Sequence, residues 1–597
     1  MKISIITDLN ELPKFSLTSP VFSDIESEKL YVGARLVQMY QPETDDRIYI
    51  FDLAPIGYNK ANYTQNIEAL KAFMKPLHGV WYNNSYDGGT LNLVQNNIDD
   101  LFYAVKTAYP EFQEFALDKV LEKLGLGSLY ASLDKKALQK AGFKLGAYLS
   151  QAQITYSATD VYALSIMWKD PKIQAVIENN LAYKVDILSQ KYAIRYQQNG
   201  LVVDNENRLK ALNKAIEDIA RLKKELPNDF NPNSYKQVRE YLGVEQSDHA
   251  ALVAYALSDK ELASKAKAII DLKKALKEKS YLEGIAYGKM YTKFNVAGAA
   301  TGRFTASGGD LPNGFNSQQI PRQFQKLFKA DTDASHPLGE TTVVGLDYST
   351  LELRLACAIF NEPEMYRQLK DGEDLHTAMA QMITGKPLHP DGLLGDKNAA
   401  SGMADVTYDY ITHKDRTDAK AVNFGYVFGM SAATYKEYAF VGYGIKVSNE
   451  EAVKLRERYF TKYPNFAAYH KAVWNNYSKP SFYYVTALGR RVKPKLGTDG
   501  INGPVQGSGA ETTKLAVHWL IKNDCIRLGL DPVTEWEQCE VIKYIYNVVH
   551  DAIYLRVPKG TEGFWRKALK DAMVKGWEEI SKSSLFKFKD IPMPVDE

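Results

Sequence analysis

Two aspartates far apart in the chain sit where apolar runs give out. In TTVVGLDYSTLELR, β-branched residues lead to Asp347, after which Leu351, Leu355 and Ala358 fall on one helical face. In VVHDAIYLRV, an alternation that suits a half-buried strand, with Val549, Ile553 and Leu555 among its apolar positions, is interrupted by His550 and Asp551. Alone, either acid reads as a strand end. On adjacent strands, the two would hold two divalent cations about 3.5 to 4 Å apart, the arrangement that clamps the attacking and leaving oxygens in phosphoryl transfer.

Between them lies RTDAKAVNFGYVFG, where Arg416, Lys420, Phe424 and Phe428 recur every four residues. On a helix they form one slanted stripe roughly 18 Å long, because four residues rise about 6 Å. A nucleoside triphosphate fits that length. The Arg416 fork and the Lys420 point charge suit phosphates, while Phe424 offers a flat face to a base or sugar. An ordinary core helix would not need two cations in line with its aromatics.

The chain has 597 residues, 45% of them hydrophobic and 24% charged, which suits several soluble domains. A net charge of +2 leaves polyanion binding to local patches. Residues 1 to 185 mix strand-like runs, ARLVQMY and RIYIFDL, with helical stretches, an α/β pattern. From Ile216 to Lys293 the spacing predicts a long helical region, and between Lys260 and Lys293 nine lysines face four acids. The following segment, to Arg322, is rich in Gly, Pro, Asn and Ser and reads as an extended loop. Cys357, Cys525 and Cys539 have no metal-ligand spacing and read as buried thiols in a reducing interior. With no signal peptide and no transmembrane-length apolar run, the expectation is a cytoplasmic protein.

DYSTLELR, RTDAKAVNFGYVFG and VHDA, in that order, resemble the motifs of family A DNA polymerases, as do FNPNSYKQVREYLG, TGRF, NSQQIP, DLHTA and NGPVQGSGAETTK. The resemblance runs from about Phe230 almost to the C-terminus. It implies a right-hand polymerase domain over 186–597, with a thumb over 186–295, a palm over 296–360 and 480–597, and fingers over 361–479. It further implies that Asp347, Asp551 and the Tyr348 carbonyl ligate two Mg2+ ions, with Mn2+ able to substitute. Lys420 would protonate the leaving pyrophosphate, His376 would contact the triphosphate tail, and Glu352 would act as the steric gate against ribonucleotides. Arg416, Phe424 and Phe428 would complete the nucleotide site, and Arg303, Gln506, Asn502 and His550 would touch primer-template DNA. The lysine-rich helices would grip the phosphate backbone.

SPVFSDIES puts Asp24 and Glu26 on one face of a strand, YNNSYDGGTL supplies Asp87, and YSATDVYAL places Tyr156 and Asp160 four apart on a helix. This set resembles an RNase H-like DEDD 3′-5′ exonuclease domain, expected over 1–185. Its four acids would hold two metals and Tyr156 would orient the attacking water. The expected fold is therefore α/β and α+β multidomain, and the expected partners are DNA and deoxynucleoside triphosphates. The expected form is a monomer, compatible with a separate processivity factor or replisome proteins. A chain opening on the exonuclease segment, without a 5′ nuclease, resembles bacteriophage replicative enzymes, which would act in the host bacterial cytoplasm. Three features depart from the family pattern: a longer loop between TGRF and NSQQIP, Phe428 where tyrosine is usual, and Ala552 where glutamate is usual. Loss of that glutamate supports an alternative, a DNA-binding replication component or exonuclease with a decayed polymerase site. The missing tyrosine hydroxyl leaves Glu352 looser unless another donor or a water replaces it.

Overall fold

The computed structural model describes residues 2–596 apart from 11, 30–31, 257, 259, 286, 310, 312, 329–337, 390–393 and 395–409. Period-two alternation builds its first sheet: β1 (Lys2–Ile6), β2 (Pro20–Lys29), β3 (Val32–Tyr40), β4 (Arg47–Asp52), β5 (His78–Trp81) and β6 (Asn97–Asp100), in the order β1-β4-β3-β2-β5-β6. The central β3 is antiparallel to both neighbours, and the other pairs are parallel. Three helices carry or buttress the acids of this region: α1 (Asn84–Leu91), α2 (Gln151–Met167) and α3 (Leu181–Tyr196). A Ser150–Gln153 capping box starts α2, which packs across β2, β3 and β4. Helix α3 runs through position 185 without a break and leads into the rest of the chain.

The expected helical region holds four helices among the described residues. Two long ones, α4 (Asn205–Lys223) and α5 (Ala263–Gly284), pack against each other, with Tyr235–Leu242 and His249–Ala256 between them. Gly243, at φ +63°, ends the first short helix in a left-handed turn. Ile219, Leu222, Val238, Leu252, Ile269 and Leu272 close a separate apolar core there. Lys267, Lys274 and Lys277 point outward from α5, whereas Lys289 and Lys293 lie on short strands, with Lys293 buried.

A second sheet carries both aspartate segments. Its strands are β7 (Thr341–Tyr348), β8 (Ile545–Val549), β9 (Ala552–Pro558) and β10 (Val595–Asp596), in the order β8-β9-β7-β10, all antiparallel. Around it stand α6 (Leu351–Phe360), α7 (Leu375–Thr384), α8 (His413–Val427), α9 (Gly497–Leu528) and α10 (Glu562–Ile580). Helices α9 and α10 pack on each other and on this sheet. The expected loop after Thr301 contains a three-residue strand, Thr305–Ser307, paired with Lys293–Asn295; its Asp310 and Pro312 lie outside the described residues.

Buried charges tie the two halves together. Asp186 on α3 accepts hydrogen bonds from Lys514 Nζ of α9 at 2.6 Å and from Arg490 at 2.6 Å. Lys514 also donates to the Gly302 carbonyl at 2.7 Å, so one cluster fixes the turn that carries Arg303. Gly302 needs φ +84° there, and a Cβ on Gly507 would meet the Thr301 carbonyl at 2.8 Å. The three cysteines are buried and free.

Candidate active sites

The first site forms where β7 meets a tight turn. Val549 pairs with Ala552, leaving only His550 and Asp551 in the connection, so Asp551 sits in the turn and not on a strand. Asp347 pairs with Ala552 across β7 and β9, which brings the two aspartates together. Non-glycine residues adopt left-handed backbone beside both: His550 at φ +56° and Thr350 at φ +51°. Such positions cost energy and persist where the surroundings over-determine them, as at functional sites. Desolvation in the cleft, then the charge of Asp551 and a hydrogen bond with it, raise the Asp347 carboxyl to about 7. Like charges held this close are what a divalent cation relieves, and all the donors are hard oxygens, so the residues fit a divalent metal site.

Asp347, Tyr348, Glu352, Asp551 and His550 line a cleft of about 360 Å³ with Arg303, His376, Lys420 and Phe424. The Lys420 ammonium stands 5.8 Å from the Phe424 ring centre. A Thr412–Asp415 capping box starts α8, and Phe428 is its C-cap, so the predicted stripe is helical through Phe424 and closes at the end of the helix. Cations near a helix N-terminus oppose the helix dipole. Arg416 is compensated by Asp374, which it grips with both arms at 3.0 and 2.7 Å. Burial would raise the Asp374 carboxyl, but Arg416 and the Thr377 amide hold it at about 2. Arg416 is thus turned to the N-cap of α7, away from the cleft lining.

His376 follows that cap. Burial depresses its imidazole to about 4, so it is neutral. The Asn423 amide nitrogen donates to the Leu375 carbonyl at 3.1 Å and meets His376 Nδ1 at 3.0 Å. An amide nitrogen already donating to a carbonyl must be a donor toward the ring as well, so Nδ1 accepts and Nε2 carries the proton. Asn423 escapes sequence reasoning; its place one residue before Phe424, on a different helix face, is the available signal. Glu352 is also held by a partner not foreseen. Arg303 donates to its carboxylate at 2.6 Å, so another donor stands in for the hydroxyl that Phe428 lacks. Asn502 and Gln506 lie four apart on α9, half-buried, outside the cleft lining but next to the Thr301 turn.

The second site is in the first sheet. One carboxylate oxygen from each of Asp24, Glu26 and Asp160 lies within 4.8 Å of the others. Asp87, buried on α1, accepts a backbone hydrogen bond from Ile25 between them. Burial, then Asp24, pushes the carboxyls of both Glu26 and Asp87 well above the usual range. Asp100 accepts from the Asn83 and Asn84 amides at 2.8 and 2.7 Å and so fixes the start of α1. Tyr156 lines up with Asp160 on α2, and Tyr130, which sequence reasoning missed, donates to Asp160. Crowded acids on three elements fit divalent cations here too.

The sequence profile of DNA polymerase family A matches residues 201–390 and 397–595. The chain belongs to DNA polymerase family A. This polymerase is 27% identical to DNA polymerase I of Aquifex aeolicus over 94% of its own length and 92% of that protein. It is 28% identical to the thermostable DNA polymerase I of Thermus thermophilus, over 38% of its own length and 25% of that protein. Its fold matches the polymerase domain of Pol1 from M. smegmatis, solved with DNA primer-template and dNTP, at a TM-score of 0.69 and 17% identity, covering 97% of this chain and 94% of that one. Both aspartates and the whole α8 stripe fall inside the family match.

Proposed function

We propose that this polymerase extends a primer 3′ end with deoxynucleotides on a DNA template, and that its first sheet carries a 3′-5′ proofreading exonuclease. The observation that carries the first reading is the convergence of Asp347, Asp551, Lys420, His376, Phe424 and Glu352 on one cleft of a family A polymerase. In this reading Asp347, Asp551 and the Tyr348 carbonyl would hold two Mg2+ ions, which when bound supply charge neutralisation and polarise the primer hydroxyl. The side chains do the positioning. Lys420 and the His376 Nε2 proton face the triphosphate, and Lys420 delivers a proton to the departing pyrophosphate. Phe424 stacks beneath the base or sugar, and Glu352 occupies the space of a ribose 2′-hydroxyl. Arg303, Gln506, Asn502 and His550 contact the primer-template, with donors toward minor-groove acceptors common to every correct base pair.

The domain reading runs along the same lines: exonuclease over 1–185, thumb over 186–295, palm over 296–360 and 480–597, fingers over 361–479. In the exonuclease, Asp24, Glu26, Asp87 and Asp160 would hold the metals and Tyr156 would orient the attacking water. The Aquifex and Thermus relatives are bacterial enzymes. No helix among the described residues is long and apolar enough to cross a membrane. Primer extension with magnesium and four deoxynucleotides tests the main reading: wild-type protein extends, while Asp347→Asn and Asp551→Asn lose extension by at least about a thousandfold and keep DNA affinity within a few fold, because the grip is spread over many phosphates. Extension by either variant near the parent rate removes these residues from the site. No extension by the wild type on several templates favours the decayed-site alternative.

A further inference from the structure

β7 is flanked on both sides at the position of Asp347. On one side its register partner is Ala552 of β9, and on the other it is Asp596 of β10. Directly opposed residues of antiparallel strands share a face, with Cβ atoms roughly 4.5 to 5.5 Å apart. Ala552, Asp347 and Asp596 therefore form a row across three strands, with the central carboxylate at the catalytic cleft, a methyl group on one flank and a second carboxylate on the other. Asp596 is exposed, and Asp347 faces the cleft.

The segment that delivers Asp596 is anchored along its length. Trp577 Nε1 donates to the Ile591 carbonyl at 2.8 Å, Arg354 donates to the Pro592 carbonyl, and the Ser349 amide donates to the Pro594 carbonyl at 3.0 Å. Val595 then pairs with Tyr348. Tyr366 and Lys370 hold Asp590 at the start of the same segment. Among the described residues no cation lies within ion-pair distance of Asp596. Arg354, which is within electrostatic range of it, is spent on the carbonyls of Ser349 and Pro592. The stretch from Asp590 to Asp596 is thus fixed so that a carboxylate with no ion-pair partner among the described residues stands beside Asp347.

We propose that Asp596 is a third carboxylate of the polymerase site, supporting a divalent cation at Asp347, directly or through a water of its hydration shell, on the flank opposite Ala552. The proposal rests on the metal-dependent polymerase reading. It gives a local reason why an alanine at 552 is compatible with a working site: negative charge lacking on one flank is supplied from the other.

The test uses the full-length chain in an Asp24→Ala, Glu26→Ala background, so that cations at the first-sheet cluster do not register. Free Mn2+ is titrated by electron paramagnetic resonance without DNA, and primer extension is followed against Mg2+ concentration. Asp596→Asn should weaken Mn2+ binding about tenfold and raise the Mg2+ needed for half-maximal extension by a similar factor, with the rate at saturating Mg2+ within about twofold. Metal-free thermal stability should be unchanged or slightly higher, since a like charge is removed. Unchanged Mn2+ affinity and Mg2+ dependence in Asp596→Asn, alongside loss of both in Asp347→Asn, overturns the proposal and leaves the polymerase reading standing. A lowered metal-free unfolding midpoint with unaltered cation affinity assigns Asp596 a purely structural role and also overturns it. If Asp347→Asn itself keeps Mn2+ binding and extension, the site reading fails with the proposal.

Discussion

At the scale of single residues, the proposed polymerase site sets proton and cation in competition for Asp347. Its folded carboxyl is raised to about 7, above its unfolded value near 4, so between those values the folded chain binds more protons than the unfolded one. The sign is then fixed: in the metal-free protein this group's contribution to stability is lost as pH rises from about 4 through 7. A bound cation must displace that proton, so apparent Mg2+ affinity should fall as pH drops from 8 to 6, at a slope approaching roughly tenfold per pH unit. Extension assayed against Mg2+ at pH 6, 7 and 8 checks this; a half-saturating concentration that stays constant would mean the aspartate pair is already ionised. Glu352 gives a second prediction. Since Arg303 holds it, Phe428→Tyr should change discrimination against ribonucleotides by less than about twofold, whereas Arg303→Ala should relax it by at least roughly tenfold. A charge-assisted hydrogen bond is worth about 1.5 to 3 kcal/mol, so the Arg303→Ala effect can reach roughly a hundredfold; single-nucleotide incorporation of matched deoxy- and ribonucleotides measures both. A larger effect from Phe428→Tyr would show that the ion pair yields when nucleotide binds.

Secondary-structure elements are held in place by buried polar ties more than by their own propensity. Helix α9 carries glycines through its first turns, at positions where a Cβ would strike the Tyr484 ring or the Thr301 carbonyl, and such a helix is weak in isolation. Its anchor is Lys514, which with Arg490 neutralises Asp186 of α3. Burial would raise the Asp186 carboxyl, and the two cations reverse this and hold it below its ordinary value. Asp186→Asn leaves two buried cations sharing no carboxylate and should cost about 3 to 5 kcal/mol, read as a lower thermal midpoint. It should also impair extension, because the Gly302 turn loses its support. A variant as stable as the parent would mean that water or the Glu511 carboxylate takes over. These ties are invisible in the sequence: Asp186 lies hundreds of residues from Arg490 and Lys514, and nothing local marks them as partners. By contrast, the capping boxes at Ser150 and Thr412 are local and readable.

Over the whole molecule, the two candidate sites stand on separate sheets joined through α3 and its contacts. Glu537 bridges to Lys75 at 2.8 Å and to Arg195, and Tyr192 packs edge-on to Trp536. The two acid clusters, Asp347 with Asp551 and Asp24 with Glu26, Asp87 and Asp160, share no residue. Asp24→Ala with Glu26→Ala should therefore abolish 3′ degradation of a labelled primer while leaving the extension rate within about twofold; continued degradation would mean that the catalytic acids lie elsewhere.

What the sequence by itself determined is the set of acids and the elements that carry them. Asp24 and Glu26 share a face because a strand repeats every two residues, and Lys420 and Phe424 share one because a helix nearly repeats every four. These periodicities are properties of the backbone, so order along the chain suffices to read them. Tertiary structure alone decided which groups meet. It placed Asp551 in a two-residue turn, turned Arg416 toward Asp374, gave Glu352 to Arg303, fixed the His376 proton through Asn423, and set Asp596 beside Asp347 from 249 positions away. Strand register and helix packing create those pairings, and both are set by burying apolar faces from distant segments, a condition that local residue spacing does not encode.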